Sequence, residues 1–184
     1  MVELPKVSFN NSKLLPLSDL RERVLRYCPQ MFSILSNSYG SILHAHLLTT
    51  APARIISSIF VEPVCFYPYI GQLLRFTQLG PRVIWQRRWT RESFLLLLSY
   101  LLVSSDLDVL HACSRLQTEA CWEAEELLDE RSLLIFSEND YLIDSARLLT
   151  YFQRLRPSVR TRLVKNSRHG EALFLIAQSD PDLL

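Results

Sequence analysis

The sequence has little glycine, little cysteine and almost no net charge. Its four cysteines in 184 residues include no pair at C-x-x-C spacing, which excludes a disulfide scaffold and predicts buried thiols in a reducing compartment. Twenty basic against nineteen acidic residues give a net charge of +1, so the positive field of a general nucleic-acid binder is missing. Glycine occurs only four times, against a usual share of about 7%, so each glycine is expected where the backbone needs it.

Long hydrophobic runs are also missing. The most apolar segment covers only residues 94–103, whereas a helix that spans a membrane needs about 20 apolar residues. The opening residues 1–6 contain no apolar core of a secretory signal. These absences predict an intracellular protein, cytoplasmic or peripherally associated with a membrane. Residues 94–103 are expected to form a buried or interfacial helix.

Apolar runs alternate with helical patterns along most of the chain. Four of these runs predict β-strands, and they cover residues 32–36, 55–61, 132–137 and 159–165. Helical segments lie between the strands, and strands joined by helices form right-handed crossovers in a parallel sheet. The sequence therefore predicts an α/β fold. Its expected parts are a first core segment at 1–67, a helical insertion at 68–128 and a second core segment at 129–184.

A serine lies between the first predicted strand and the helix that follows it, in the pattern Ser36-x-Ser38-x-Gly40. A sharp strand-to-helix turn exposes such a serine at the carboxyl edge of a sheet, and the tight backbone needs small residues two positions before and after it. The pattern alone is weak because serine-rich loops are common, so a plain polar turn is the alternative. Its place between strand and helix favours a nucleophile.

Two more polar residues follow the last two predicted strands. Asp140 comes after the third strand and His169 after the fourth, at the edge where open α/β sheets place their sites. A helix cap is the other reading of Asp140, but Asp144 fits that role better and leaves Asp140 without a structural task. An ordinary surface histidine is the other reading of His169. With Ser38 they follow the order nucleophile, acid, base, which coincidence rarely produces at three strand ends.

These segments resemble the carboxyl-terminal part of α/β-hydrolase fold proteins of the lipase and esterase type, over residues 17–178. The resemblance is carried by Ser36-Asn-Ser38-Tyr-Gly40-Ser41, Ile59-Phe-Val-Glu-Pro63, Leu134-Ile-Phe-Ser-Glu-Asn-Asp140 and Ser167-Arg-His169-Gly170. It implies that the four strands are the fifth to eighth of that fold's sheet and that residues 68–128 are its cap or lid. Ser36 in place of the usual glycine is the main departure from the motif.

The resemblance implies a serine hydrolase that acts on a carboxylic ester, either a small molecule or a lipid. Ser38 would attack the acyl carbonyl, His169 would take and return its proton, and Asp140 would hold the imidazole. The backbone N–H of Tyr39 would donate to the oxyanion; the second donor normally follows the third strand of the fold, a loop expected to lie outside this chain. Glu62, just past the second strand, is the alternative acid. No cofactor is implied.

No metal site is expected from the histidines and cysteines. His44 and His46 are two residues apart, so on a helix they point away from each other rather than towards one ion. Neither His111 with Cys113 nor Cys113 with Cys121 has the paired spacing of a zinc site.

The insertion leaves two functional interpretations open. Residues 82–91 interleave arginines with Trp85 and Trp89, a pattern typical of an amphipathic helix whose arginines reach solvent or contact a membrane surface. In a complete hydrolase, part of 82–103 would face the Ser38 pocket. The alternative to an esterase is a catalytically inactive or truncated α/β-hydrolase-like protein that binds a lipid or protein partner through this cap.

Overall fold

The computed structural model describes residues 17–66, 121–140 and 142–179. These residues belong to one compact unit in which helices and strands alternate. In chain order the elements are α1 (Leu17–Tyr27), β1 (Phe32–Asn37), α2 (Gly40–Thr50), a 3-10 turn (Pro52–Arg54), β2 (Ile55–Val61), α3 (Cys121–Glu126), β3 (Ser132–Ser137), α4 (Ser145–Leu155), β4 (Arg160–Val164) and α5 (Ala172–Ser179). Most of the predicted insertion, including 82–103, lies outside the described residues, so the division into core and cap stays a prediction.

The four strands form one parallel sheet in the order β1-β2-β3-β4. Strands β2 and β3 begin and end at the predicted residues, β1 extends one residue further to Asn37, and β4 is shorter than predicted at both ends. A helix lies between β1 and β2 and another between β3 and β4, because parallel neighbours need a crossover rather than a tight turn. The predicted α/β fold with four parallel strands is confirmed.

The sheet buries apolar side chains on both faces. Successive side chains of a strand point to opposite faces of the sheet, so Phe60 and Val61 of β2 pack on opposite faces. Phe60 meets Phe66 edge-on at a ring-centroid distance of 4.9 Å, and Phe66 in turn contacts Phe152 of α4. The opposite face packs against α5 in a cluster of Val61, Leu133, Ile135, Ala172 and Ile176. Close packing of this kind fixes where the carboxyl ends of the strands lie.

Two helices illustrate how the sequence sets these positions. Asp144 caps α4 by accepting a hydrogen bond from the backbone N–H of Arg147 at 3.1 Å, so the predicted capping role is confirmed. Leu148 and Phe152, four residues apart, form the buried face of this helix. Helix α2 is buried on nearly every side.

Among the described helices, none is long and apolar enough to cross a membrane.

Candidate active site

Ser38 lies in a sharp turn between β1 and α2. Its φ is 48°, the left-handed region that residues with a side chain seldom adopt and that costs free energy when they do. The turn is held by hydrogen bonds from Ser38 N to Val61 O at 2.9 Å and from Ser41 N to Ser38 O at 3.0 Å. A backbone bent in this way lifts the serine side chain at the carboxyl edge of the sheet.

The structure brings Ser38, His169 and Asp140 together. Ser38 Oγ lies 2.7 Å from His169 Nε2, and His169 Nδ1 lies 2.7 Å from Asp140 Oδ2. The carboxylate accepts from Nδ1, so Nε2 is the imidazole atom that faces the serine hydroxyl as an acceptor. The side chain of Asp140 is fully buried and that of His169 is 7% exposed. The carboxylate is therefore shielded from water, whereas the imidazole lies next to the solvent.

Asp140 also has a structural task that the sequence did not indicate. Its Oδ1 accepts hydrogen bonds from the backbone N–H groups of Leu142 and Ile143 at 2.8 and 3.0 Å. The carboxylate therefore uses one oxygen to close its own turn and the other to face the imidazole. The expectation that Asp140 is without a structural task is wrong: both aspartates of this segment bind backbone N–H groups, and Asp140 does so in addition to facing His169.

The loop that carries His169 is held at both ends. It begins after β4 with Asn166 at a φ of 55° and includes Gly170 at a φ of 90°, where glycine avoids the strain of a side chain. Ser167 is completely buried, and its hydroxyl donates to Val164 O at 2.8 Å. The N–H of Asn139 donates to Ser167 O at 2.8 Å. These contacts tie the histidine loop to the end of β3.

Glu62, the alternative acid, is completely buried at the end of β2 with a φ of 50°. Its Oε2 accepts from the N–H of Gly170 at 2.6 Å, and its Oε1 accepts from the N–H of Ala172 at 3.4 Å. The Ser137 hydroxyl donates to the same Oε1 at 2.5 Å. These contacts join Glu62 to the backbone of the histidine loop, whereas the carboxylate at His169 Nδ1 is that of Asp140. A role for Glu62 as the acid stays a hypothesis.

Tyr39, the expected oxyanion donor, lies at the N-cap position of α2 with helical φ and ψ of −57° and −31°. The first N–H groups of a helix have no acceptor within the helix, and they favour negative charge at this end. The backbone N–H of Tyr39 is therefore part of the α2 N-terminus, next to Ser38. Its oxyanion role stays a prediction.

A second polar cluster joins α2 to β1 and β2, and the sequence reasoning missed it. His44 of α2 lies with Nδ1 2.8 Å from Ser36 Oγ and with Nε2 3.0 Å from Ser58 Oγ. Its ring also stacks on Phe60, with centroids 3.7 Å apart. Burial lowers the pKa of His44 from 6.5 to about 3, because the charged imidazolium is poorly solvated there. Isolated polar residues within apolar segments were the available signal, since buried polar groups need partners.

Metal-ligating side chains do not gather within the described ranges: no three of His, Cys, Asp and Glu form a group that suits an ion. Both ring nitrogens of His44 are engaged by serine hydroxyls. His111 and Cys113 lie outside the described residues.

Comparison with known proteins identifies the fold of this chain. No family model matches the chain, and no curated protein matches it either. A solved carboxylesterase of the thaumarchaeon Nitrososphaera gargenis is similar, with 12% identity and a TM-score of 0.60 over 95% of this chain and 72% of that one. A candidate lipase from Acinetobacter baumannii has 12% identity and a TM-score of 0.59, over 99% and 70% of the two chains.

A third similar structure is an N-formylmaleamic acid deformylase from Pseudomonas putida. It has 15% identity and a TM-score of 0.55, with 96% of this chain and 75% of that one covered. At such identities the likeness concerns the fold alone. The chain therefore has a partial α/β-hydrolase fold, as its motifs predicted, and it is similar across most of its length to structures of esterases and lipases.

Proposed function

We propose that this chain is a serine hydrolase that cleaves carboxylic esters. One observation carries the proposal: Ser38 Oγ, the His169 imidazole and the Asp140 carboxylate form a continuous line of two 2.7 Å contacts. Each of the three residues follows a different strand of the sheet. The left-handed backbone at Ser38 supports the assignment, because strained residues concentrate at functional sites.

The proposed reaction needs only acyl transfer through the serine. Ser38 Oγ attacks the ester carbonyl while His169 Nε2 removes its proton, and a tetrahedral oxyanion forms. His169 then gives the proton to the departing alcohol, which leaves an acyl-serine. In the second half, His169 removes a proton from a water molecule that attacks the acyl-serine. It then returns the proton to Ser38 Oγ as the carboxylic acid is released. Asp140 holds the Nδ1–H tautomer and stabilises the imidazolium that exists between the transfers.

Oxyanion stabilisation in this proposal starts at the α2 N-terminus. The Tyr39 N–H lies one residue after the nucleophile, the position from which the first oxyanion donor comes in this fold. A single donor is typically worth a factor of ~10²–10³ in turnover. The second donor is expected to lie outside this chain, so its absence would lower the turnover of this chain by a comparable factor.

A fluorophosphonate probe tests the proposal, because it labels only a serine whose hydroxyl is activated. We expect the unaltered chain to label rapidly and Ser38→Ala to lose all labelling. Ser33→Ala, which removes an exposed hydroxyl of β1, is the matched control and should label like the unaltered chain. Absence of labelling in a folded sample, shown by circular dichroism, would overturn the proposal and favour an inactive protein that binds a lipid or protein partner.

The substrate class follows from the expected cap and extends the proposal. An apolar cap over Ser38 would present walls for an acyl chain, so we expect octanoate esters to be cleaved at higher kcat/KM than acetate esters. Equal values for the two esters would contradict an acyl pocket without affecting the serine mechanism.

A further inference from the structure

Glu62 is the most unusual group at this sheet edge that the proposed reaction does not use. It is a completely buried carboxylate, and its backbone adopts a left-handed φ of 50°. A positive φ on a side-chain-bearing residue costs free energy, and a buried carboxyl group is tolerated only where hydrogen bonds compensate its loss of water. Residues that combine such costs are found where an arrangement is needed for function.

The contacts of Glu62 are directed at one loop. Oε2 accepts from Gly170 N at 2.6 Å, and Gly170 is the residue directly after His169. Oε1 accepts from Ala172 N, the first residue of α5, so the carboxylate also lies at the positive end of that helix. Glu62 thus holds the chain immediately downstream of the imidazole from both carboxylate oxygens.

Ser137 adds a contact on the upstream side of His169. Its hydroxyl lies 2.5 Å from Glu62 Oε1 and 3.0 Å from the carbonyl oxygen of Arg168. Arg168 directly precedes His169. The single hydroxyl proton of Ser137 lies between the Arg168 carbonyl oxygen and Glu62 Oε1, so this hydroxyl bridges the residue before the histidine to Glu62. Glu62 and Ser137 together are called the loop clasp below.

We propose that Glu62 is a positioning residue whose carboxylate, through the loop clasp, sets the place of the His169 imidazole between Ser38 and Asp140. This inference rests on the proposed serine hydrolase function. It differs from a role as the triad acid, because Glu62 acts on the backbone around His169 rather than on its ring. A displacement of about 1 Å in a reacting group can cost ~10²-fold in rate, so a loosened loop should slow acylation strongly.

Glu62→Gln in the full chain is the central variant. It keeps the size of the side chain but replaces one acceptor oxygen with an NH₂ group, which cannot accept from a backbone N–H. Phe152→Leu is the matched control, because it removes buried volume from α4 and lowers stability without touching the loop clasp. Two readouts are compared at equal folded fraction: the rate of fluorophosphonate labelling, and the low-field NMR signal of the imidazole N–H that faces Asp140.

We expect Glu62→Gln to label at least tenfold more slowly than the Phe152→Leu control and to lose the low-field signal. Labelling within twofold of the control, or a retained signal with slow labelling, would overturn the proposal, since the imidazole would then still be in place. If Glu62→Gln does not fold, Ser137→Ala decides: at least threefold slower labelling supports the loop clasp, and an unchanged rate overturns it.

The two proposals fail in different ways. If the unaltered chain itself does not label, the hydrolase proposal fails, and the positioning proposal is judged by the NMR signal alone. Loss of that signal in Glu62→Gln, but not in Phe152→Leu, still supports positioning of His169 by Glu62. Retention of the signal in both variants overturns it.

Discussion

Two histidines of this chain contact a polar side chain through each ring nitrogen, but their surroundings are very different. His169 lies between the Ser38 hydroxyl and the Asp140 carboxylate, with both distances at 2.7 Å. His44 lies between two serine hydroxyls, those of Ser36 and Ser58, at 2.8 and 3.0 Å. One ring therefore faces an acid and a serine, whereas the other faces two neutral hydroxyls.

The neighbouring carboxylate decides which histidine can act as a general base. A histidine that acts as a general base becomes positively charged in the transition state. A carboxylate at its other ring nitrogen stabilises this imidazolium. Asp140 supplies such a carboxylate to His169. His44 is buried and stacked on Phe60, and burial holds its pKa at about 3, so it stays neutral near pH 7. We therefore interpret His44 as a structural bridge between α2, β1 and β2.

A change that makes the surroundings of His169 resemble those of His44 should lower turnover most strongly. Asp140→Asn removes the negative charge and disturbs the tautomer of the imidazole, a change that lowers kcat by ~10⁴-fold in serine hydrolases that use such a triad. We expect ester turnover to fall by a comparable factor. The matched variant Ser58→Ala removes a hydroxyl from His44 and should leave turnover of the folded protein within threefold. Equal losses in the two variants would erase the distinction between the histidines.

The second expected effect concerns stability rather than turnover. His44→Leu leaves the buried hydroxyls of Ser36 and Ser58 without this partner, at ~1–3 kcal/mol each, so the free energy of unfolding should fall by ~3 kcal/mol. The triple variant that also carries Ser36→Ala and Ser58→Ala should recover at least half of this loss, because no orphaned hydroxyl remains. Urea unfolding measures both. A triple variant less stable than His44→Leu would show that the hydroxyls stabilise the fold in some other way.

The comparison also shows which features the sequence could reveal. The apolar runs of β2 and β3 predict both strands with the same first and last residues that the structure shows. Parallel strands that are buried on both faces consist largely of consecutive apolar residues. Ser38, Asp140 and His169 could be selected because each follows a strand. Their meeting at one edge then follows from the parallel order of the sheet.

The remaining contacts depend on packing that no local pattern encodes. Ser36 and Ser58 look like small residues of two separate apolar runs, and only the pairing of β1 with β2 brings both to His44. Glu62 next to Pro63 indicates a turn, while the N–H groups that its carboxylate binds lie about a hundred residues later, in the histidine loop. These partners come together only in the tertiary structure, so the sequence shows that a residue is polar but not which groups it binds.

The pKa of His44 predicts how stability depends on pH. The pKa of His44 is lower in the folded protein, at about 3, than the ~6.5 of an unfolded chain, so the unfolded state binds more protons between these values. Stability contributed by neutral His44 is therefore present above pH 6.5 and is lost as the pH falls towards 3. Between pH 7 and 5 we expect a loss of ~2 kcal/mol from this group. The triple variant should show a correspondingly flatter curve, and an equally steep one would assign the acid sensitivity elsewhere.

Removal of the Ser36 hydroxyl tests whether the structural bridge reaches the nucleophile. Ser36 stands where a glycine is usual in this turn, and a Cβ added at Gly40 would meet its Cβ at an ordinary 3.8 Å. Ser36→Ala keeps this size but removes the hydroxyl from His44 Nδ1, so we expect a loss of ~1 kcal/mol in stability and labelling within twofold of the unaltered chain. Ser36→Val, which adds volume at the same place, should slow labelling at least tenfold, because the turn needs a small residue there. If the alanine variant labelled as slowly as the valine variant, the Ser36–His44 contact would be positioning Ser38, and the two histidines would belong to one functional network.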